Sequence, residues 1–177
     1  MLIPEIQIKK ILYATDLSDS ARYAFAYAVK LSQTHNAGLT ILHVVEASPR
    51  MEEKILNFIS EIQWNEIKKR HEETAHSILI GKRQGNVIIG AVLEQFCADV
   101  KEEIGQTAKF TVDEILIERG NPVDKIIEIA NSRNCDLIVA GTHGESSLAK
   151  ILIGNTAKKL IQRAEKPVLV VRLPRED

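Results

Sequence analysis

The chain is constrained most by its repeating order of short apolar runs, each followed by a longer stretch with helical periodicity. Lys10 to Thr15 reads as a first strand, apolar on both faces as a central parallel strand should be. A cluster of helix-starting residues, Asp16-Leu17-Ser18-Asp19-Ser20, comes next. Ala21 to Ser32 then carries Phe25, Ala28, Val29 and Ser32 on one helical face. Gly38 is expected to end that unit, and Leu39 to Val45 reads as the second strand. A strand–helix–strand unit of this kind nearly always makes a right-handed crossover between parallel strands.

The middle of the chain breaks this rhythm. Met51 to Arg83 is charged and helical in propensity, with Ile55, Ile59 and Ile62 as its expected apolar stripe and a break over Gly81 to Gly85. It reads as a solvated outer helix, with a partner-binding or dimer-contact face as the alternative. A second helix follows with Ile89, Val92, Leu93, Phe96, Cys97, Val100 and Ile104 on one side, suited to covering a sheet. The alternation then resumes. Val112 to Ile117 is a third strand, and Asn121-Pro122 opens a helix with Val123, Ile126, Ile127 and Ala130 as its stripe. Asp136 to Ala140 is a fourth strand, Thr156 to Ala164 the last helix, and Val168 to Val171 a fifth strand. The expectation is a single α/β domain over residues 1–177: a three-layer sandwich around a five-stranded, mostly parallel sheet. An enlarged helical connection, about 47–111, joins strands two and three.

Composition narrows the partners. The 177 residues are 45% hydrophobic and 27% charged, ordinary for a globular protein, and a chain of this size hides roughly 70% of its unfolded surface. Twenty-three Lys and Arg against 24 Asp and Glu leave a net charge of −1, which argues against nucleic acid or an anionic membrane as the main partner. The N-terminus lacks the pattern of a secretory signal, and no apolar run reaches about 18 residues. Cys97 and Cys135 belong to no metal-binding spacing and read as buried, reduced thiols. A cytoplasmic protein is expected.

In an open parallel sheet, ligands bind beyond the carboxyl ends of the strands where strand order reverses. Thr15-Asp16 after the first strand has no glycine, so neither GxGxxG nor GxxxxGK[ST] is present. Glycines come after the fourth strand instead, in Gly141-Thr142-His143-Gly144 and again in Gly154-Asn155-Thr156. Gly141 and Gly144 allow a tight exit and close approach of a ligand to backbone. Gly154 precedes a helix whose free N–H groups and dipole favour an anion, with Asn155 and Thr156 as further donors. Glycines after a strand and before a helix are common, so the same residues also read simply as turn and cap positions. Asp16 likewise reads either as a ligand acceptor or as a cap of the following helix, for which Ser18 and Asp19 are equally able. His43, in an apolar strand, reads as a hydrogen-bonded core histidine; His143 lies within the glycine turn. Two histidines without a third ligand are weak grounds for zinc, and His71 and His76 fall off the spacing that shares a helix face.

Several ordered motifs resemble the universal stress protein family. They are Ile11-Leu12-Tyr13-Ala14-Thr15-Asp16-Leu17-Ser18, Leu42-His43-Val44-Val45, Gly120-Asn121-Pro122, the spacing Gly141-x2-Gly144-x9-Gly154 and Lys166-Pro167-Val168-Leu169-Val170-Val171. The resemblance implies a Rossmann-like sandwich, a homodimer through the last strand (Val168–Val171), and membership of a branch that binds ATP or another adenine nucleotide, with Mg as a companion ion. Carried over by position, Asp16 contacts the nucleoside and Val44 meets adenine through its backbone. Gly141 and Gly144 lie along the ribose and phosphates, and Gly154, Asn155 and Thr156 close on the phosphates. Ala14, Thr15, Ala140 and His143 complete the set. One position departs from the pattern: Asn155 stands where the family usually has Ser or Thr, so Thr156 becomes the candidate to supply the hydroxyl. The function implied is a nucleotide-binding, stress-response regulatory protein with little or no turnover and an unidentified protein partner. A slow ATPase, or a member acting by protein contacts without nucleotide, is the alternative. No nucleophile–base set and no Walker-type lysine is seen at the phosphate end.

Overall fold

The computed structural model describes residues 3–45, 55–75, 84–104, 110–142 and 153–174, without the side chains of 71–75, 84 and 85. Its elements in order are β1 (Lys10–Thr15), α1 (Asp19–His35), β2 (Gly38–Val45), α2 (Glu61–Ala75), α3 (Gln84–Ile104), β3 (Thr111–Arg119), α4 (Pro122–Ser132), β4 (Leu137–Gly141), α5 (Asn155–Arg163) and β5 (Val168–Val171). The strands pair in the order β3-β2-β1-β4-β5, and all four pairings are parallel. β1 is therefore central. The chain builds outward from it through β2 and β3, then crosses back to lay down β4 and β5 on the other side.

Period-two alternation divides the sheet between two cores. Ile11, Tyr13, Leu39, Ile41, Leu137 and Val139 face a layer made by α1, α2 and α3. Leu12, Ala14, Leu42, Val44, Ile138 and Ala140 face α4 and α5. Both faces are covered, so the central strands read as continuous apolar runs. The first core is aromatic: Phe25 lies 5.1 Å from Tyr13 and 5.0 Å from Phe96, and Phe96 lies 4.7 Å from Phe58.

Three sequence expectations are corrected. α1 is ended by Asn36, left-handed at φ 52° with its N–H donated to the Ser32 carbonyl, and Gly38 belongs to β2. β3 bulges after Val112, and the Asp113 carboxylate lies over Gly38, where a side chain would have to displace it. Second, the expected stripe Ile55-Ile59-Ile62 spans two separate elements. Ile55 and Ile59 are buried in a turn that ends at Ser60, whereas Ile62 is 73% exposed. A capping box resets the phase: Ser60 Oγ accepts the Gln63 N–H at 3.3 Å, and Gln63 Oε1 accepts the Ser60 N–H at 2.9 Å. α2 then buries Trp64 and Ile67, so its inner face joins the core instead of standing clear of it. Third, α4 buries Ile129 more fully than Ile127. The expected break over 81–85 lies mostly outside the described residues.

Both cysteines are buried thiols. Burial pushes the Cys97 thiol up to about 12, and it also raises that of Cys135. Among the described residues no helix is long and apolar enough to cross a membrane.

Candidate functional site

The crevice is set by where the β1 ladders stop. Pairing of β1 with β4 ends at Ala14–Ala140, and pairing with β2 ends at Thr15–His43. The outer ladders run further, to Val45–Arg119 and Gly141–Val171. The chain thus peels away at Thr15-Asp16 and leaves a gap at the carboxyl edge, where strand order reverses. Ala14 and Ala140 floor this gap on the α4–α5 face with the smallest side chains a strand can carry. Val44 shares that face, and its register partner is Glu118 of β3, one residue beyond the last β1–β2 pair.

On the β1 side the turn is tightly braced. Thr15 Oγ1 accepts the Leu17 N–H at 3.1 Å, and Asp16 Oδ1 accepts both the Ser18 N–H at 3.1 Å and the Ser18 hydroxyl at 2.6 Å. Ser18 is the N-cap of α1, accepting the Ala21 N–H. Asp16 therefore does not cap the helix itself. It holds the residue that does, and it remains half-buried at the crevice. His43 is a buried core side chain, with Nδ1 2.9 Å from the Thr15 carbonyl, an arrangement in which the ring N–H donates.

On the β4 side, Gly141 rests directly on the first turn of α1. A Cβ there would stand 2.6 Å from Ser20 Oγ, 2.9 Å from the Ser20 carbonyl carbon and 3.0 Å from the Ala21 nitrogen. Two of these are backbone atoms that cannot step aside, so only glycine fits. Beneath it, the Ser20 hydroxyl is 3% exposed and has no hydrogen-bond partner among the described residues. Thr142 follows, its N–H donated to the Val171 carbonyl and its own carbonyl accepting the Gly154 N–H at 2.7 Å. The two ends of the glycine loop are pinned together by that bond. His143 and Gly144 lie within the loop and outside the described residues.

The Thr142–Gly154 bond refines one expectation. The Gly154 N–H is engaged by Thr142, so the open donors at this helix start are those after it. Gly154 is the N-cap of α5 and has no side chain to satisfy them. Asn155 and Thr156 are exposed, and the first turn contains no acidic residue. Sequence reading passed over Ser20 and the structural part of Thr142. The Asp-x-Ser spacing of 16 and 18 was a signal for the brace, whereas the Ser20–Gly141 contact is a tertiary one.

An acceptor at one lip of a strand-end gap and amides at the start of α5 that no described side chain caps suit a ligand with a hydrogen-donating end and an anionic end. Fold and crevice together define a parallel α/β protein of Rossmann-like order around its central strand. The chain belongs to the universal stress protein family, whose model matches residues 7–172. Universal stress protein MJ0577 of Methanocaldococcus jannaschii is 28% identical, over 94% of this chain and 96% of that protein. A universal stress protein of Thermus aquaticus is 28% identical over 93% and 98%. Among solved structures, that of MJ0577 superposes with a TM-score of 0.61 at 28% identity, covering 97% of this chain and all of that one. A universal stress protein in complex with cAMP superposes at 0.60, with 22% identity and 94% and 98% coverage. At that identity the likeness speaks for the fold alone.

Proposed function

We propose that this protein binds an adenine nucleotide at the β1–β4 crevice and acts as a stress-response regulatory module with little or no turnover. The reading is carried by one juxtaposition: the half-buried Asp16 carboxylate and the start of α5, which no described side chain caps, lie at the same edge of the sheet. A carboxylate accepts hydrogen bonds and repels phosphate, so Asp16 suits a nucleoside. Helix-start amides donate and carry partial positive charge, so the N–H groups of Asn155 and Thr156 suit phosphates. A universal stress protein of the same fold is solved in complex with cAMP, an adenine nucleotide, which is the ligand class this reading takes.

In this reading Val44 offers backbone to the adenine, while Ala14, Thr15 and Ala140 give a floor on which a flat ring system can lie. Gly141, His143 and Gly144 line the ribose and phosphates, and Gly154 sets the start of α5. Asn155 donates through its backbone, and Thr156 supplies the hydroxyl that the family usually carries one position earlier. Magnesium arrives with the phosphates. A net charge of −1 is no obstacle, because these donors are backbone groups.

The functional unit is one domain spanning the chain, working in the cytoplasm as a homodimer. β5 is an edge strand of apolar residues, Val168 to Val171, whereas the opposite edge, β3, carries Asp113, Glu114, Glu118 and Arg119 and a bulge. Charge and bulging guard an edge, and an unguarded apolar edge invites a second copy. Sedimentation at micromolar concentration is expected to give a dimer; a monomer there overturns this part.

The direct test is to denature the purified protein, identify released nucleotide by mass spectrometry, and titrate the stripped protein with ATP. Bound adenine nucleotide, or saturable ATP binding lost in Asp16→Ala, is expected. Neither release nor binding at millimolar ATP refutes the reading. Phosphate release that Asp16→Ala abolishes would replace it with a slow ATPase.

A further inference from the structure

The β1–α1 turn holds its carboxylate in a fixed pose, and Ser18 grips it through both its hydroxyl and its N–H. Ser18 Oγ accepts the Ala21 N–H at 3.2 Å and donates to Asp16 Oδ1 at 2.6 Å. The Ser18 N–H reaches the same oxygen at 3.1 Å. Between them Leu17 is left-handed, φ 63°, a region an L-residue occupies only when its surroundings over-determine it. The fully buried Leu17 side chain and the Thr15 bond to its N–H provide that determination. The Asp16 carboxylate therefore cannot turn freely. Oδ1 is committed to the turn, and among the described residues no donor reaches Oδ2.

The geometry points to Ser18 as the residue that positions Asp16 for ligand selection, an inference that rests on the nucleotide reading above. With Oδ1 committed, Oδ2 is an oriented, acceptor-only site for one N–H or O–H donor of the nucleoside, either a ribose hydroxyl or the exocyclic amine. A ligand lacking that donor leaves a half-buried charged oxygen without a partner and is rejected. In this proposal Ser18 is a positioning residue that acts through Asp16.

The test is calorimetric titration with ATP, with 2′,3′-dideoxy-ATP and with inosine triphosphate, which lack the two donors in turn. The wild-type protein is expected to bind ATP at least about tenfold more tightly than one of the two analogues, as the loss of a hydrogen bond to a charged group implies. Ser18→Gly keeps most of the helix cap, since Gly at this position costs only a few tenths of a kcal/mol, but it removes the hydroxyl. It is expected to compress the ratio to about threefold or less, and Ser18→Thr to restore it. A folded Ser18→Gly protein that keeps the full ratio overturns the proposal. So does a wild-type protein that binds ATP and both analogues equally, a result that leaves nucleotide binding standing. Failure of the wild-type protein to bind ATP at all refutes the underlying reading instead. If Ser18→Gly does not fold, Ser18→Asn replaces it: an equally good cap whose amide stands one bond further out, with the same compression expected and an uncompressed ratio overturning the proposal.

Discussion

The starts of α4 and α5 face the same physical problem and meet it in opposite ways. Both helices lie on one face of the sheet, both begin at its carboxyl edge, and Arg163 of α5 reaches Asp124 of α4 at 2.7 Å. α4 is closed: Asn121 Oδ1 accepts from the N–H groups of Val123 and Asp124 at 3.0 and 3.3 Å, Pro122 has no N–H to satisfy, and Asp124 adds negative charge to the first turn. α5 starts from a glycine with no acid in its first turn and a threonine and an asparagine exposed beside it. Helix ends in a folded protein normally find partners, so a start that no described side chain caps, next to a capped neighbour, is what the proposed anion site rests on. The dipole is common to both helices; the capping chemistry distinguishes them.

Substitutions can break this contrast. The largest effect is expected at Gly141, the platform from which the chain leaves for α5. Gly141→Ala drives a methyl group into the Ser20 and Ala21 backbone and should destabilise by about 2–3 kcal/mol on urea unfolding, as overpacking does. Wild-type stability would show that the β4–α1 contact yields. Next, Gly154→Asp gives α5 the kind of cap that α4 has. ATP affinity should fall about tenfold, or about 1.4 kcal/mol, while the melting temperature holds or rises; unchanged affinity would remove the start of α5 from the site. The reverse experiment is Asn121→Ala, which should cost about 1 kcal/mol of stability and leave ATP affinity as it was. A parallel loss of affinity would mean that both helix starts serve the ligand. Smallest is Arg163→Ala. Its ion pair with Asp124 is more than half exposed on both sides, so thermal unfolding should register less than about 0.5 kcal/mol.

Much of the architecture is legible in short-range pattern. Apolar doublets of alternating facing mark β1, β2 and β4, and Asn121-Pro122 announces α4 with the cap it uses. Where reading along the chain failed, a local signal was overlooked or a distant one was missing. Ser60-x-x-Gln63 is a visible capping box that splits the Ile55–Ile59–Ile62 stripe, yet the stripe reads as continuous if that box is passed over. Asn36 could be preferred to Gly38 as the end of α1 only by knowing that Gly38 already pairs with Lys10 of β1. At the site, glycines 141 and 154 are obvious as residues and ambiguous as roles: one proves to be a packing necessity, the other an uncapped helix start.

The amino-acid sequence by itself determined the class of fold and the faces of most elements, and its ordered motifs carried the resemblance to the family that the chain belongs to. The first two follow from periodicity and capping preference, which act within a few residues. Only the tertiary structure decided that β1 leaves both neighbours at Ala14 and Thr15, that Asp16 braces Ser18 instead of capping α1, that Ser20 lies under Gly141, and that the Gly154 N–H is held by Thr142. Apart from the Asp16–Ser18 brace, each joins chain segments far apart in sequence. Such contacts come into being with strand order and helix docking, which no local pattern encodes.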